Sequence, residues 1–103
     1  PFAGADSIDI DLFNILRALR KNIAATNKVP PYIIFPDTTL KEMATYYPQD
    51  TENMKKIHGI GQIKLEKYGN IFLEKIADYC KLHNIQFVRK IVRAKSIFSS
   101  SKN

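Results

Sequence analysis

The sequence is poor in cysteine and lacks long apolar runs, and each shortage removes a class of protein. Cys80 is the only cysteine of the 103 residues, which excludes an intramolecular disulfide and a zinc site built from cysteines. No apolar run is long enough to span a bilayer, and the first residues lack the basic and apolar regions of a signal peptide. We therefore expect a soluble, cytoplasmic, monomeric protein of one domain that does not contact a membrane.

Catalytic motifs are also lacking. The chain has no Walker A loop, dinucleotide-binding fingerprint, HExxH or Gly-x-Ser-x-Gly motif. Neither His58 nor His83 has a neighbouring set of Asp, Glu, Cys or His residues at ligand spacing, so structural or surface roles are favoured for both. Glu74 and Asp78 lie among lysines, which is the usual setting of solvated helix charges. We predict no metal site, no cofactor and no enzymatic activity in this chain.

Acidic residues are missing from the end of the chain, so the net charge of +6 is unevenly distributed. Residues 1–16 carry three acidic and no basic residues, and residues 17–83 carry eleven Lys/Arg against seven Asp/Glu. Residues 84–103 carry five basic and no acidic residues. This balance favours a polyanionic partner, although many basic proteins bind nothing specific. Composition alone leaves nucleic-acid binding undecided.

A first helix is predicted over residues 10–26, capped by Ser7 or Asp9. Its core side holds Ile8, Leu12, Ile15, Leu16, Leu19 and Ile23. The opposite side carries a basic set, namely Arg17, Arg20, Lys21 and the following Lys28. This set is either a solvated face or a basic ridge that leads into the next segment. The absence of carboxylates between Asp11 and Asp37 favours the ridge.

The segment Lys-Val-Pro-Pro-Tyr-Ile-Ile-Phe, residues 28–35, interrupts the helical pattern. Two adjacent prolines fix φ and remove two N–H donors, so we expect an enforced extended segment here. Such a segment can lie across helices, bury Ile33, Ile34 and Phe35, and present Tyr32 at a fixed position. The alternative is that Tyr32 is an ordinary core residue.

Four further helices are predicted after this segment. The second is capped by Asp37, Thr38 or Thr39, has a capping-box pair in Thr39 and Glu42, and stops at Pro48. The third is short and follows Asp50 or Thr51. The fourth covers residues 62–68 and ends at Gly69, and the fifth covers residues 70–83 with His83 on its core side. The sequence pattern therefore predicts a compact all-α domain with five successive helices.

Residues 57–61, Ile-His-Gly-Ile-Gly, resemble the turn of a helix–hairpin–helix. In DNA-binding hairpins, such a turn brings backbone N–H groups to a phosphate, and Lys64 and Lys67 would assist. Alternatively, Gly59 and Gly61 make a compact joint between packed helices, with Gly59 at positive φ and Gly61 permitting tight entry to the next helix. We favour the joint and keep the lysines as secondary candidates for DNA contact.

The end of the chain is predicted to be a basic amphipathic extension over residues 84–98, followed by a disordered tail over residues 99–103. If it is helical, apolar residues lie on one side and Arg89 and Arg93 on another. Four roles stay open for this extension: packing back on the domain, contact with DNA, binding of a partner, or order only in a longer native chain. Residues 1–8 are predicted to be an incoming linker.

Four blocks together resemble the HRDC family, named for helicase and RNase D C-terminal domains. They are Leu-Arg-Ala-Leu-Arg-Lys (16–21), Val-Pro-Pro-Tyr-Ile-Ile-Phe (29–35), Asp-Thr-Thr-Leu-Lys-Glu-Met-Ala (37–44) and Ile-His-Gly-Ile-Gly-Gln-Ile-Lys-Leu-Glu-Lys-Tyr-Gly (57–69). Their order and spacing are similar to those of the domain in bacterial RecQ-type DNA helicases. The resemblance covers residues 9–83 and implies that the helices form a compact all-α five-helix bundle.

The resemblance implies an accessory domain of an ATP-dependent 3′-to-5′ DNA helicase that acts in DNA repair and recombination near the nucleoid. It implies weak binding of single-stranded DNA and a role in substrate choice, with Tyr32 as the main contact and Arg17, Arg20, Lys21 and Lys28 as its neighbours. The helicase and winged-helix domains of the same parent chain are the expected protein partners. Two alternatives stay open: a docking module of the helicase, and the HRDC domain of an RNase D-like exoribonuclease.

Overall fold

The computed structural model of the chain describes residues 7–85, which are helical and contain no β-strand. The elements are α1 (Ile10–Asn27), α2 (Pro31–Ile34), α3 (Asp37–Tyr46), α4 (Thr51–Met54), α5 (Gln62–Lys64), a π-helical turn (Leu65–Gly69) and α6 (Asn70–Leu82). Because α5, the π-turn and α6 follow without a break, they form one helical rod. The prediction of an all-α five-helix bundle is confirmed. The predicted extension and tail lie outside the described residues, apart from residues 84 and 85.

The rod corrects one predicted boundary. Gly69 was expected to end a helix, but its φ of −52° and ψ of −48° are helical. The chain therefore passes from the π-turn into α6 without changing direction. The π-turn also places Tyr68 against the core, where its ring meets Phe35 edge-on with a centroid distance of 6.1 Å.

The core lies between α1, α3 and α6. Leu12 and Leu16 of α1 and Leu40 of α3 are fully buried. Phe35 and Phe72 form its aromatic centre, with ring centroids 5.1 Å apart and planes at 81°. An edge-to-face pair of this kind adds about 0.5–1.5 kcal/mol to the free energy of burial. Phe35, the last residue of the Pro-Pro-Tyr segment, is therefore packed directly against α6.

Asp9 ties the start of the first helix to α3 and α6. Its Oδ1 accepts from the Leu12 N–H at 3.1 Å, so Asp9 is the N-cap of α1. Its carboxylate also accepts from the Tyr47 hydroxyl at 2.7 Å and from the Tyr79 hydroxyl at 2.8 Å. The Asp9 N–H donates to the Ala44 carbonyl at 3.0 Å. One side chain thus joins α1, the end of α3 and α6.

These contacts change the acidity of both partners. Burial opposes ionisation of Asp9 most strongly, but the hydrogen bonds that its carboxylate accepts outweigh burial and hold the pKa of Asp9 below its usual value. Burial, followed by the bond to Asp9, raises the pKa of the Tyr79 hydroxyl. Asp9 is therefore an ionised acceptor and Tyr79 a protonated donor at neutral pH.

The glycine turn at residues 57–61 is a joint docked on α3. The Thr39 hydroxyl donates to the His58 carbonyl at 2.9 Å, and the His58 N–H donates to Glu42 Oε1 at 2.9 Å. Gly59 has φ of +90°, and a Cβ there would overlap Thr39 Oγ1. Gly61 has φ of −89°, and a Cβ there would meet nothing within 4 Å. Gly59 is therefore required by the turn, whereas Gly61 is not, which corrects the role predicted for Gly61.

Two other sequence expectations are wrong. Thr39 and Glu42 do not form a capping box, because both side chains hold the glycine turn and the N-cap of α3 is Pro36, which makes no side-chain hydrogen bond. His83 is exposed rather than in the core, because α6 ends at Leu82. Its ring centroid lies 4.2 Å from that of Tyr79. Asp50, in contrast, caps α4 as predicted, accepting from the Asn53 N–H at 2.8 Å.

Asp9→Asn tests the hub at Asp9, meaning the hydrogen bonds that its carboxylate accepts from Leu12, Tyr47 and Tyr79. Because the pKa of Asp9 in the folded state lies below its unfolded value near 4, the carboxylate stabilises the fold above that pH, and this contribution is lost as pH falls through the folded pKa. We expect Asp9→Asn to lower the free energy of unfolding by about 1–3 kcal/mol at pH 7 and to flatten its pH dependence below about pH 5. Urea unfolding at several pH values measures both. Asp78→Asn, at an exposed carboxylate, is the control, and an unchanged pH profile for Asp9→Asn would contradict the assignment.

Gly59→Ala tests the joint. The positive φ and the overlap with Thr39 lead us to expect a loss of about 1–3 kcal/mol in the free energy of unfolding. Gly61→Ala is the matched control two residues away, and its effect should stay within about 0.5 kcal/mol. Thermal and urea unfolding of the two variants compare them directly, and equal stabilities would show that the turn does not need Gly59.

Candidate nucleic-acid interface

The Pro-Pro-Tyr segment forms a single helical turn over Pro31–Ile34, not the extended segment expected from the sequence. Pro30 is extended, with φ of −64° and ψ of 148°, and Pro31 begins α2. Proline suits the first helical position because its missing N–H has no helical partner there. The Ile33 N–H donates to the Pro30 carbonyl at 3.0 Å, and Phe35 returns the chain to an extended conformation with φ of −153°.

The short turn divides its side chains between solvent and core. Tyr32 is 65% exposed, whereas Ile34 and Phe35 are fully buried. Ile33 was expected in the core with them, but it is 41% exposed because the helical turn carries it towards the surface. The alternative that Tyr32 is a core residue is therefore excluded. Its ring projects into solvent from a backbone anchored on either side.

Arg20 supplies much of that anchoring from within the bundle. It is 8% exposed, and its Nη1 donates to the Phe35 carbonyl at 2.9 Å and pairs with Asp37 Oδ1 at 2.8 Å. Its Nε is buried without a hydrogen-bond partner. The expectation that Arg20 lies on the exposed basic side is wrong. Its position in the series Leu12, Leu16, Arg20, Ala24 is the sequence signal for the buried side.

The exposed basic residues of α1 lie beside the Pro-Pro turn. Arg17, Lys21 and Pro31 line a shallow cleft of ≈ 360 Å³, together with Asn14, Ala18 and the mostly buried Arg20. The Arg17 guanidinium lies 5.7 Å from the ring centroid of Phe13, which limits its motion. The cleft therefore places two exposed cations next to the residue that precedes Tyr32.

Lys28 occupies a distinct position on the path between α1 and α2. It ends α1 in a left-handed conformation with φ of 57°, and its side chain is exposed. Its N–H donates to the Ala25 carbonyl at 3.2 Å, and the Val29 N–H donates to the Ala24 carbonyl at 3.0 Å. These bonds satisfy carbonyls at the end of α1 and fix the point from which the Pro-Pro turn departs.

The secondary candidates are dispersed. Lys64 is half-buried at the end of α5, and Lys67 lines a different groove that contains Ile33. The His58 N–H of the glycine turn is already bonded to Glu42, which leaves it unable to meet a phosphate. Arg89 and Arg93 lie outside the described residues.

Residues 7–85 contain no cluster of three or more His, Cys, Asp or Glu side chains that would hold a metal ion. Cys80 is buried, and burial, followed by the charge of Asp9, raises the pKa of its thiol. Its thiol is therefore neutral at physiological pH. Among the helices described, none combines the length and the apolar character that crossing a membrane requires.

Comparison with known proteins gives the same class of module. The sequence pattern of the HRDC domain matches residues 9–76. The ATP-dependent DNA helicase RecQ of Haemophilus influenzae is 47% identical over 76 residues, which are 74% of this chain and 12% of the helicase. The RecQ helicase of Bacillus subtilis is 41% identical over 80 residues, which are 78% of this chain and 14% of the helicase.

A solved structure agrees with these sequence relatives. The third HRDC domain of Deinococcus radiodurans RecQ has a TM-score of 0.67 and 26% identity to this chain, covering 71% of this chain and 96% of that domain. The chain belongs to the HRDC family, and its resemblance to the domain of RecQ-type helicases is confirmed. It spans only 12–14% of the length of the two RecQ helicases.

Arg20→Met tests whether the buried guanidinium holds the Pro-Pro turn. The substitution leaves the Phe35 carbonyl without its donor and Asp37 without its partner, and Asp37 is 59% exposed, so its loss is screened by solvent. We expect the free energy of unfolding to fall by about 1–3 kcal/mol. Lys21→Met, which removes an exposed charge one residue away, should change it by less than about 0.5 kcal/mol. Equal effects in urea unfolding would show that Arg20 is not an anchor.

Proposed function

We propose that this domain binds single-stranded DNA weakly, with Tyr32 as a stacking platform for one base and Arg17, Lys21 and Lys28 as contacts for the backbone. The observation that carries the proposal is the exposure of Tyr32, which is 65% accessible on a turn that leads into the fully buried Ile34 and Phe35. An exposed ring held by a rigid backbone loses little conformational entropy when it stacks on a base.

Simple magnitudes set the strength of this site. A base stacked on an aromatic ring contributes about 1–3 kcal/mol and shows little preference for sequence. Three cations that neutralise phosphates would give a slope of log K against log salt of about −2 for a single strand. One ring and three lysine or arginine contacts therefore support binding that is no tighter than about micromolar. Arg20 is left out of the contact set because it is buried and already paired.

The parent protein follows from the relatives rather than from the site. The relatives compared are named ATP-dependent DNA helicases, and this chain matches only a small part of each. We propose that the chain is an accessory domain of a bacterial RecQ-type helicase that acts on chromosomal DNA in repair and recombination. The motor and its ATP site then belong to other domains of the parent, and the domain described here tunes which DNA structures the motor engages.

Tyr32→Ala tests the stacking platform. Because the side chain is exposed, the free energy of unfolding of the variant should stay within about 0.5 kcal/mol of the value for the unmutated domain. Affinity for a fluorescein-labelled ten-nucleotide oligo-dT, measured by anisotropy at low salt, should fall about 5- to 150-fold. Tyr32→Phe keeps the ring, and its affinity for oligo-dT should stay within about threefold of that of the unmutated domain.

Ile63→Ala is the matched control for removing an exposed side chain. Ile63 is 72% exposed and lies on α5, away from the cleft at Pro31. Its truncation should leave DNA affinity unchanged. Undiminished binding by Tyr32→Ala, or an equal loss in Ile63→Ala, would remove Tyr32 from the interface.

A further inference from the structure

A second concave surface lies on the bundle and has no part in the proposed DNA site. It is an open groove of ≈ 730 Å³ whose lining includes Ile23, Val29, Ile33, Tyr68, Ile71 and Lys67. It runs between the end of α1, α2 and the start of α6. Ile33 and Ile71 are 41% and 43% exposed there. Aliphatic side chains gathered at the mouth of such a groove mark an interaction surface.

The lining favours a protein ligand over a nucleic acid. Among the described residues that line the groove, Tyr68 is the one with an aromatic side chain. Lys67 Nζ lies over its ring, 5.8 Å from the centroid. The same ring meets Phe35 edge-on. Because Tyr68 already has these two neighbours, its ring is a poor platform for a stacking base. Asn22, Thr26 and Asn27 add polar groups to the lining, but the large hydrophobic side chains exposed in it, Ile33 and Ile71, are branched aliphatics, which pack best against other aliphatic side chains.

The charge around the groove selects among protein ligands. Of the described residues that line it, none is acidic, and Lys67 is basic. Lys28 is exposed and stands in the chain between two residues that line the groove. Glu66, next to Lys67 in sequence, hydrogen-bonds Gln62 at 2.8 Å and lines a different cleft with Lys55. The rim is therefore positive, and it complements an acidic ligand.

The same charge argues against two occupants from this chain. Residues 86–98 carry four basic and no acidic residues, so they would place like charge beside Lys67. A second copy docked groove to groove would bring Lys67 of each copy towards a positive rim. Like charges placed opposite one another at an interface cost free energy.

We propose that this groove binds an acidic amphipathic segment of another protein. The segment inserts aliphatic side chains at helical spacing against Ile23, Ile33 and Ile71 and places a carboxylate beside Lys67, as in helix-in-groove recognition. Because α2 carries both Ile33 and Tyr32, a protein bound in the groove lies next to the proposed DNA site. The proposal does not depend on DNA binding by Tyr32.

The test is a selection of peptides from a random phage library of about 16 residues, long enough for four helical turns, on the immobilised 103-residue chain. We expect the enriched peptides to combine net negative charge with Leu, Ile, Val or Phe at i, i+3, i+4 and i+7. A synthetic peptide from this set should bind Ile71→Ser about tenfold more weakly than the parent. Ile63→Ser, at an exposed isoleucine outside the groove lining, should bind as the parent does.

Charge reversal and an independent variant complete the test. Lys67→Glu should lower the affinity for the acidic peptide about fivefold. It should raise the affinity for a version of the same peptide in which Glu and Asp are changed to Lys. Tyr32→Ala should leave peptide affinity unchanged, so failure here and failure of DNA binding are distinguishable.

Several results would overturn the proposal. They include selection of no peptide that distinguishes the parent from Ile71→Ser, and selection of basic peptides. If addition of oligo-dT shifted the methyl resonances of Ile23 and Ile71, the groove would be a DNA-binding surface instead. Dimerisation that Ile71→Ser abolishes would assign it to a second copy. Deletion of residues 86–103 that shifts the Ile71 methyl resonance would assign it to this chain's own end.

Discussion

The buried guanidinium of Arg20 is the constraint on which the candidate interface depends. It bonds the carbonyl of Phe35 and the carboxylate of Asp37, so α1 holds the chain on the far side of the Pro-Pro turn. The side chain of Phe35 packs edge-on against Phe72, which fixes the same residue from α6. On the other side of the turn, the Lys28 and Val29 N–H groups bond carbonyls at the end of α1. The backbone that carries Tyr32 is therefore anchored on both sides, and the ring is exposed.

The one-turn helix α2 separates two surfaces of different chemistry. Pro31 lines a shallow cleft with Arg17 and Lys21, which suits phosphate, whereas Ile33 lines an aliphatic groove with Ile71, which suits apolar side chains. Tyr32 stands in the chain between the residues that line each surface. In the two proposals made above, DNA and a protein segment are therefore contacted from adjacent positions of one short turn.

Much of the fold was predictable from the sequence because apolar periodicity and proline chemistry are local. The limits of α1, the cap at Asp50 and the exposed ring of Tyr32 follow from such patterns together with the family resemblance. The burial of Arg20 was not predictable from charge alone, since only the tertiary contact with Phe35 makes a buried arginine favourable. The hub at Asp9 was equally hidden, because its hydroxyl donors come from residues 38 and 70 positions later.

We propose that single-stranded DNA binds at the face around Tyr32. The most direct measurement is an NMR titration of the ¹⁵N- and ¹³C-labelled chain with a short oligo-dT, because it maps the contacted face without choosing one in advance. The account predicts the largest shifts at the Tyr32 ring, at Pro31 and at the Arg17 and Lys21 side chains, with loss of the shifts at high salt. Shifts centred on the glycine turn at residues 57–61, with Tyr32 unaffected, would contradict it.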